Sequence, residues 1–121
     1  MLTFDEYQSG AKETAQYPCP WLPGECIEEG VSVGFIYPII GLAGEVGELS
    51  EKCKKILRDD CGEVTSVKLG EITKEVGDVL WYVAALCTEF GLDMGEVANS
   101  NLEKLRSRKE RGVIQGSGDN R

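Results

Sequence analysis

Histidine is absent from the 121 residues of the chain, and this absence excludes several classes of enzyme. Catalysis by a Ser–His or Cys–His pair needs histidine as the general base, so neither mechanism is open to this protein. A zinc site is also unexpected, because the cysteines form no Cys-x-x-Cys pair and no histidine completes a ligand set. The odd number of cysteines favours reduced, mostly buried thiols over a disulfide framework. They are Cys19, Cys26, Cys53, Cys61 and Cys87.

Long apolar runs are equally scarce, and none is long enough to cross a membrane. The first eight residues, MLTFDEYQ, have neither the basic start nor the apolar stretch of a secretory leader, so we expect a cytoplasmic protein. Positive charge is in short supply, since 13 Lys and Arg face 21 Asp and Glu, a net charge of −8. Such a surface repels a phosphate backbone, and we expect neither a membrane nor a nucleic acid as partner.

Strand-like alternation of apolar and polar residues is missing too, whereas helical periodicity is strong, so we predict an all-α fold. Residues 1–112 are predicted to form one domain, and 113–121 a glycine-rich polar tail that composition indicates to be disordered. Thr3 begins a T-x-x-E capping box, which predicts a first helix from about 4 to about 16. The proline-rich segment 18–31 predicts a loop with Trp21 as its apolar anchor.

Two apolar stripes define the longest predicted helices. Each stripe steps alternately by three and four residues, the spacing that keeps side chains on one face of a helix. The first stripe predicts a helix over about 33–58, and the second a helix that ends at Gly91, a natural C′ residue. The first stripe is Phe35, Ile39, Leu42, Val46, Leu49, Cys53 and Ile56. The second is Leu69, Ile72, Val76, Val79, Val83, Leu86 and Phe90.

A shorter fourth helix is predicted from an N-cap at Asp93 to about residue 110. Its inward face is expected to hold Val97, Ala98, Leu102 and Leu105. Two long antiparallel helices and two shorter ones together make a helical bundle. Three further apolar residues widen the second stripe, so we expect helices of another subunit to cover it and to complete the bundle. These residues are Leu80, Trp81 and Ala84.

Two acidic pairs, in EVGE and EVGD, occupy equivalent places beside the two stripes. Glu45 and Glu48 are three residues apart on one helix face, and Glu75 and Asp78 repeat the spacing on the next helix. Packing of the stripes would bring the four carboxylates together at the rim of the interface. Such a cluster is repulsive without a cation, and an all-oxygen set favours Mg²⁺, with Mn²⁺ as a substitute. The alternative interpretation is a row of solvated charges beside a core stripe.

Glycines interrupt the same two helices and lower their intrinsic stability. They are Gly41, Gly44 and Gly47 in the first long helix and Gly77 in the second. Their presence indicates either a close approach between helices or room for a ligand beside the carboxylates.

Basic residues collect on one side of the fourth helix, away from its apolar residues, with steps of three, four and three. They follow Asn101 and comprise Lys104, Arg108 and Arg111. A cationic face near a metal-loaded acidic face suits a polyphosphate, although a basic helix end also complements the helix macrodipole. A second basic group is interpreted as solvated. It consists of Lys52, Lys54, Lys55 and Arg58.

The segment from about Tyr37 to Gly112 resembles the MazG-like nucleoside triphosphate pyrophosphohydrolases, an all-α family. The resemblance rests on E-x-x-E followed by E-x-x-D on neighbouring helices, within GLAGEVGELSEK and KEVGDVLWYVAAL, and NLEKLRSRKERG also resembles members of the family. It implies a homodimer or homotetramer. It implies Glu45, Glu48, Glu75 and Asp78 as Mg²⁺ ligands, and Asn101, Lys104 and Arg108 as substrate contacts. Many members carry a further Glu where this chain has Gly44, so the number of metal ions stays open.

The resemblance further implies hydrolysis of a nucleoside triphosphate between its α and β phosphates, with release of a monophosphate and pyrophosphate. In a chain without histidine, the expected mechanism is in-line attack by a Mg²⁺-activated water, with Glu48 as the general base. Two alternatives remain. One is a related activity on phosphoribosyl-ATP, and the other is a non-catalytic helical module whose acidic rim binds a cation or a basic partner.

Overall fold

The computed structural model describes residues 1–17 and 34–118, and the regular secondary structure in these ranges is helical. The helices are α1 (Phe4–Thr14), α2 (Ile36–Asp59), α3 (Ser66–Glu89) and α4 (Met94–Glu110). The prediction of an all-α fold with two long and two shorter helices is confirmed. The predicted loop over 18–31, with Trp21, Cys19 and Cys26, lies outside the described residues.

The first helix begins at the predicted capping box and ends slightly earlier than predicted. Oγ1 of Thr3 accepts a hydrogen bond from the Glu6 N–H at 3.2 Å, and Oε2 of Glu6 accepts one from the Thr3 N–H at 2.7 Å. The helix stops at Thr14 because Ala15 has an extended backbone. Beyond it, the Tyr17 hydroxyl donates a hydrogen bond to the Glu89 carboxylate of α3.

The turn between α3 and α4 follows the glycine signal in the sequence. Gly91 has a φ of 64°, a conformation that glycine adopts without strain. The Leu92 N–H donates to the Cys87 carbonyl at 2.7 Å, the bond that closes a Schellman motif. Asp93 then caps α4, with Oδ1 accepting from the Glu96 N–H at 2.8 Å. Local chemistry therefore fixes both helix ends at this corner.

Helices α2 and α3 lie antiparallel along most of their length. The ring of Phe35, just before α2, stacks on Phe90, just after α3, with centroids 5.1 Å apart. Further along, Nζ of Lys52 on α2 lies 3.3 Å from Oε1 of Glu75 on α3. The two helices therefore run in opposite directions. As a result, the acidic pair of α2 lies at the same height along the helix axes as the acidic pair of α3.

A small core forms where α1 and α4 meet the C-terminal half of α3. It contains Ala11 from α1, Ala84 and Cys87 from α3 and Met94 from α4. Leu80 and Trp81, together with Tyr7 and Val83, pack against this cluster. Ala84, which was expected to be covered by another subunit, is instead fully buried within the chain. Leu80 and Trp81 are only partly buried against the same core, so their contact with another subunit stays a prediction.

Gln8 of α1 ties the core to the corner between α3 and α4. Its Nε2 donates to the Leu92 carbonyl at 2.8 Å and to Oγ1 of Thr88 at 3.3 Å. Its Oε1 accepts from the N–H of Met94, the first residue of α4, at 2.8 Å. One side chain therefore satisfies main-chain groups in the turn and at the start of α4, and it also contacts a side chain of α3.

The predicted inward face of α4 was wrong for three of its four residues, and the fourth, Ala98, is half-buried. Val97, Leu102 and Leu105 are exposed, whereas the buried residues of the helix are Met94 and Arg108. Helix α4 packs against α1, which has 11 residues against its 17. At 1.5 Å per residue, α1 is about 9 Å shorter than α4 and leaves much of it uncovered.

The described thiols differ from the expectation of mostly buried cysteines. Cys87 is buried in the core, but Cys53 and Cys61 are exposed. Cys53 belongs to the edge of the apolar stripe that α3 does not cover. None of the helices in the described ranges has both the length and the apolar character of a membrane span.

Candidate functional site

Three of the four predicted acidic residues converge between α2 and α3. Glu45 and Glu48, one turn apart on α2, and Glu75 on α3 each offer a carboxylate oxygen, and these three atoms all lie within 4.8 Å of one another. Glu48 is exposed, Glu45 is half-buried, and Glu75 is only 9% exposed. The site therefore runs from solvent into the groove between the helices.

The fourth residue, Asp78, lies beside this group and acts on it electrostatically. Glu45 is partly desolvated, and it faces the negative charges of Asp78, Glu48 and Glu75. Burial and these neighbours, in that order, raise the pKa of the Glu45 carboxyl above its ordinary value. The convergence predicted for EVGE and EVGD is thus present as a tight group of three with Asp78 at its edge.

The donor set fits a hard divalent cation. It consists of carboxylate oxygens, it is repulsive without a cation, and one of its members is buried. Mg²⁺ and Mn²⁺ prefer such oxygen ligands, whereas zinc and copper favour nitrogen and sulfur. The residues present can therefore hold a metal ion of this class without any contribution from histidine or cysteine.

Lys52 belongs to the site, although its sequence pattern predicted a solvated lysine. Its Nζ lies 3.3 Å from Oε1 of Glu75, and its side chain is 30% exposed. The signal that identifies it is present in the sequence, because Glu45, Glu48 and Lys52 step by three and four along one face of α2. The acidic group is therefore accompanied by one positive charge.

A cavity of about 280 Å³ adjoins the carboxylates and has an aromatic wall. Glu45 and Asp78 line it together with Thr14, Trp81 and Tyr82. The Trp81 indole N–H donates to Oγ1 of Thr14 at 2.8 Å, and its ring meets that of Tyr82 edge-on at 5.0 Å. Helix α1 thereby fixes the orientation of this wall.

The glycines of α2 and α3 have two different surroundings. The ring of Tyr82 lies directly against Gly41, where an added Cβ would overlap it. Gly41 therefore allows a close approach between the helices, one of the two roles predicted for these glycines. Around Gly44, Gly47 and Gly77, in contrast, no atom lies within 4 Å of an added Cβ, so these glycines border open space in the described chain.

The predicted substrate contacts on α4 do not join the acidic group within one chain. Asn101 and Lys104 line a separate cavity of about 610 Å³ beside the corner between α3 and α4, and none of the four acidic residues lines it. Arg108 is buried, at 6% exposure. The reason is that α4 packs on α1 rather than on α2.

The sequence model of the MazG nucleotide pyrophosphohydrolase domain matches residues 39–113, a range that contains all four acidic residues. The chain belongs to this family. A relative from Mycobacterium phage L5, the Gene 37 protein, is 48% identical over 118 residues and matches across 97% of both chains. No solved structure is significantly similar to the chain. Membership of the MazG family supports nucleotide pyrophosphohydrolase activity in general.

Proposed function

We propose that this MazG family protein is a Mg²⁺-dependent nucleotide pyrophosphohydrolase that cleaves a ribo- or deoxyribonucleoside triphosphate to the monophosphate and pyrophosphate. The observation that carries the proposal is the set of three carboxylate oxygens within 4.8 Å of one another, inside the segment that matches the family. An acidic group of this kind binds the metal that a triphosphate needs, and family membership specifies the reaction class.

Each acidic residue has a proposed role. Glu45, Glu48, Glu75 and Asp78 would hold Mg²⁺, with Mn²⁺ as a substitute. When bound, the ion lowers the pKa of water and offsets charge on the phosphates. Glu48 is the proposed general base, because it is the exposed member of the tight group and can reach a water molecule from solvent. Its carboxylate would take the proton as the water oxygen bonds to phosphorus and the bond to pyrophosphate breaks.

The cavity beside Glu45 and Asp78 is the proposed position of the nucleotide. The aromatic rings of Trp81 and Tyr82 in its wall would contact a planar base. The carboxylates of Glu45 and Asp78, which line the same cavity, would place the metal ion beside the phosphates. The proposal covers both ribose and deoxyribose. The substrate panel described below measures which base and which sugar the protein prefers.

We further propose that the protein acts as a homodimer or homotetramer. Alternate members of both apolar stripes remain exposed, at spacings of seven residues on each helix. They are Ile39 and Val46 on α2 and Leu69 and Val76 on α3, all between 45% and 57% exposed. A seam of this period suits packing against further helices.

The proposed substrate contacts on α4 are consistent with such an assembly. Asn101 and Lys104 line a cavity apart from the acidic group of their own chain, so a neighbouring subunit would bring them to the phosphates. Arg108 is buried in the single chain and would have to become accessible to make the third contact.

The decisive experiment measures pyrophosphate release from a panel of nucleoside and deoxynucleoside triphosphates in the presence of Mg²⁺. Glu48→Ala and Asp78→Ala should each lower the rate by about 10²-fold or more. Glu51→Ala is the matched control, because Glu51 is on the same helix but pairs with Lys54 and Lys55 instead of joining the acidic group. Unchanged rates in both site variants would refute the proposal.

Adding phosphoribosyl-ATP to the panel, and measuring thermal stability with Mg²⁺ and with nucleotides, separates the two alternatives. Cleavage of phosphoribosyl-ATP alone would identify the related activity of that substrate class. A non-catalytic module would gain thermal stability from Mg²⁺, show no further gain with any nucleotide and release no pyrophosphate.

A further inference from the structure

Lys52 is a charged residue of the acidic site to which the proposed reaction assigns no role. Its ammonium group approaches Oε1 of Glu75 to 3.3 Å from the facing helix. Glu75 is the most deeply buried of the acidic residues, at 9% exposure. The ion pair therefore involves the carboxylate that water can compensate least.

The other basic side chains of the same helix have different partners. Lys54 and Lys55 both pair with Glu51, and Arg58 pairs with its neighbour Asp59. These contacts lie outside the group formed by Glu45, Glu48 and Glu75. Among the ion pairs of the described chain, the one made by Lys52 reaches that group.

A cation at this position reduces the repulsion among the carboxylates. Three carboxylate oxygens within 4.8 Å repel one another, and the fold has to hold them together whether or not a metal is present. A lysine ammonium has a compact charge on a flexible stem, so it can approach a carboxylate in the metal-free site and withdraw when another cation arrives. A divalent ion and the ammonium group cannot both lie against the same oxygen without strong repulsion.

We propose that Lys52 is the resident cation of this site: it neutralises Glu75 when the metal is absent and competes with the divalent ion for that carboxylate. Lys52 is thus a positioning residue that stabilises the metal-free fold and lowers the metal affinity. This inference rests on the proposed function, because it takes the acidic group to be a metal site.

The test is a Mg²⁺ titration by calorimetry, combined with thermal unfolding in a chelator, on the full chain. Lys52→Gln should bind Mg²⁺ about tenfold more tightly, since the positive charge that pairs with Glu75, a proposed ligand of the ion, is removed. It should also unfold at a lower temperature than wild type in the chelator. Lys55→Gln is the matched control, with the same charge change on the same helix, and should alter neither quantity.

Two further variants test whether the charge of Lys52 is responsible for the effect. Lys52→Arg keeps the charge and should restore wild-type affinity to within about threefold. Lys52→Met keeps the apolar stem without the charge, and it replaces Lys52→Gln if that variant fails to fold in the chelator. Both neutral variants should shift the affinity in the same direction.

The outcomes separate this inference from the proposed function. Wild-type binding of Mg²⁺ with equal affinities in Lys52→Gln and Lys55→Gln would overturn the role of Lys52 and leave the pyrophosphohydrolase intact. Weaker binding in Lys52→Gln would overturn it as well, since Lys52 would then assist the ion. If wild type binds no divalent ion and releases no pyrophosphate, both proposals fall.

Discussion

Replacement of Gly41 by alanine tests how the aromatic wall of the site is fixed. Gly41 and Gly44 both lie inside α2, three residues apart, and differ in their surroundings. An alanine methyl at Gly41 would overlap the ring of Tyr82, whereas one at Gly44 meets no atom within 4 Å. The same chemical change should therefore have opposite effects on stability at the two positions.

The magnitude follows from two terms. Glycine to alanine in a helix interior stabilises by about 1 kcal/mol, and this gain applies at both positions. Overpacking costs about 1–3 kcal/mol and applies at Gly41, because Tyr82 is held by its contact with Trp81 and has to move. The free energy of unfolding should thus differ between Gly41→Ala and Gly44→Ala by about 1–3 kcal/mol, with Gly44→Ala the more stable.

Urea unfolding of both variants at one protein concentration measures this difference, and thermal melts should show a separation of about 4–12 °C. Gly41→Ala should also alter the near-ultraviolet signal of the aromatic cluster, while Gly44→Ala should leave it unchanged. Equal stability of the two variants would contradict this prediction, because it would show that the position of the Tyr82 ring does not depend on the absence of a side chain at Gly41.

Two other predictions concern the core. Gln8→Ala should lower the free energy of unfolding by about 1–3 kcal/mol in urea, because the Leu92 carbonyl in the turn and the Met94 N–H at the start of α4 lose their partner. Gln16 is exposed, so Gln16→Ala should change the free energy of unfolding by less than about 0.5 kcal/mol. Equal effects of the two substitutions would contradict the bridging role of Gln8. Brief maleimide labelling of the native protein, mapped by mass spectrometry, should modify the exposed Cys53 and Cys61. Burial raises the pKa of the Cys87 thiol and shields it, so early labelling there would contradict the described core.

The helices and their ends were predictable because their causes are local. The capping box at Thr3, the glycine at the end of α3 and the N-cap at Asp93 each act within a few residues. The spacing of the acidic pairs beside the stripes likewise predicted their convergence, because antiparallel packing follows from two long helices joined by a short connection.

The incorrect predictions about α4, the side of α3 under α1 and Lys52 all concern tertiary contacts between helices. Sequence spacing placed Leu102 on an inward face, but the side of α4 that is buried depends on where the short α1 lies. The same cause explains Ala84, which was expected to contact another subunit but is buried in the core that α1 helps to form. Lys52 shares one face of α2 with Glu45, but this spacing alone did not distinguish it from a solvated lysine, because its partner Glu75 lies on the facing helix.

Identification of the products with an equimolar Mg²⁺–triphosphate substrate tests the central claim most directly. The account predicts one pyrophosphate and one nucleoside monophosphate per substrate consumed, no orthophosphate, and loss of both products in Glu75→Gln, which removes the charge of the buried carboxylate. Release of orthophosphate with a diphosphate, or full activity of Glu75→Gln, would contradict the assignment of this acidic group as a pyrophosphohydrolase site.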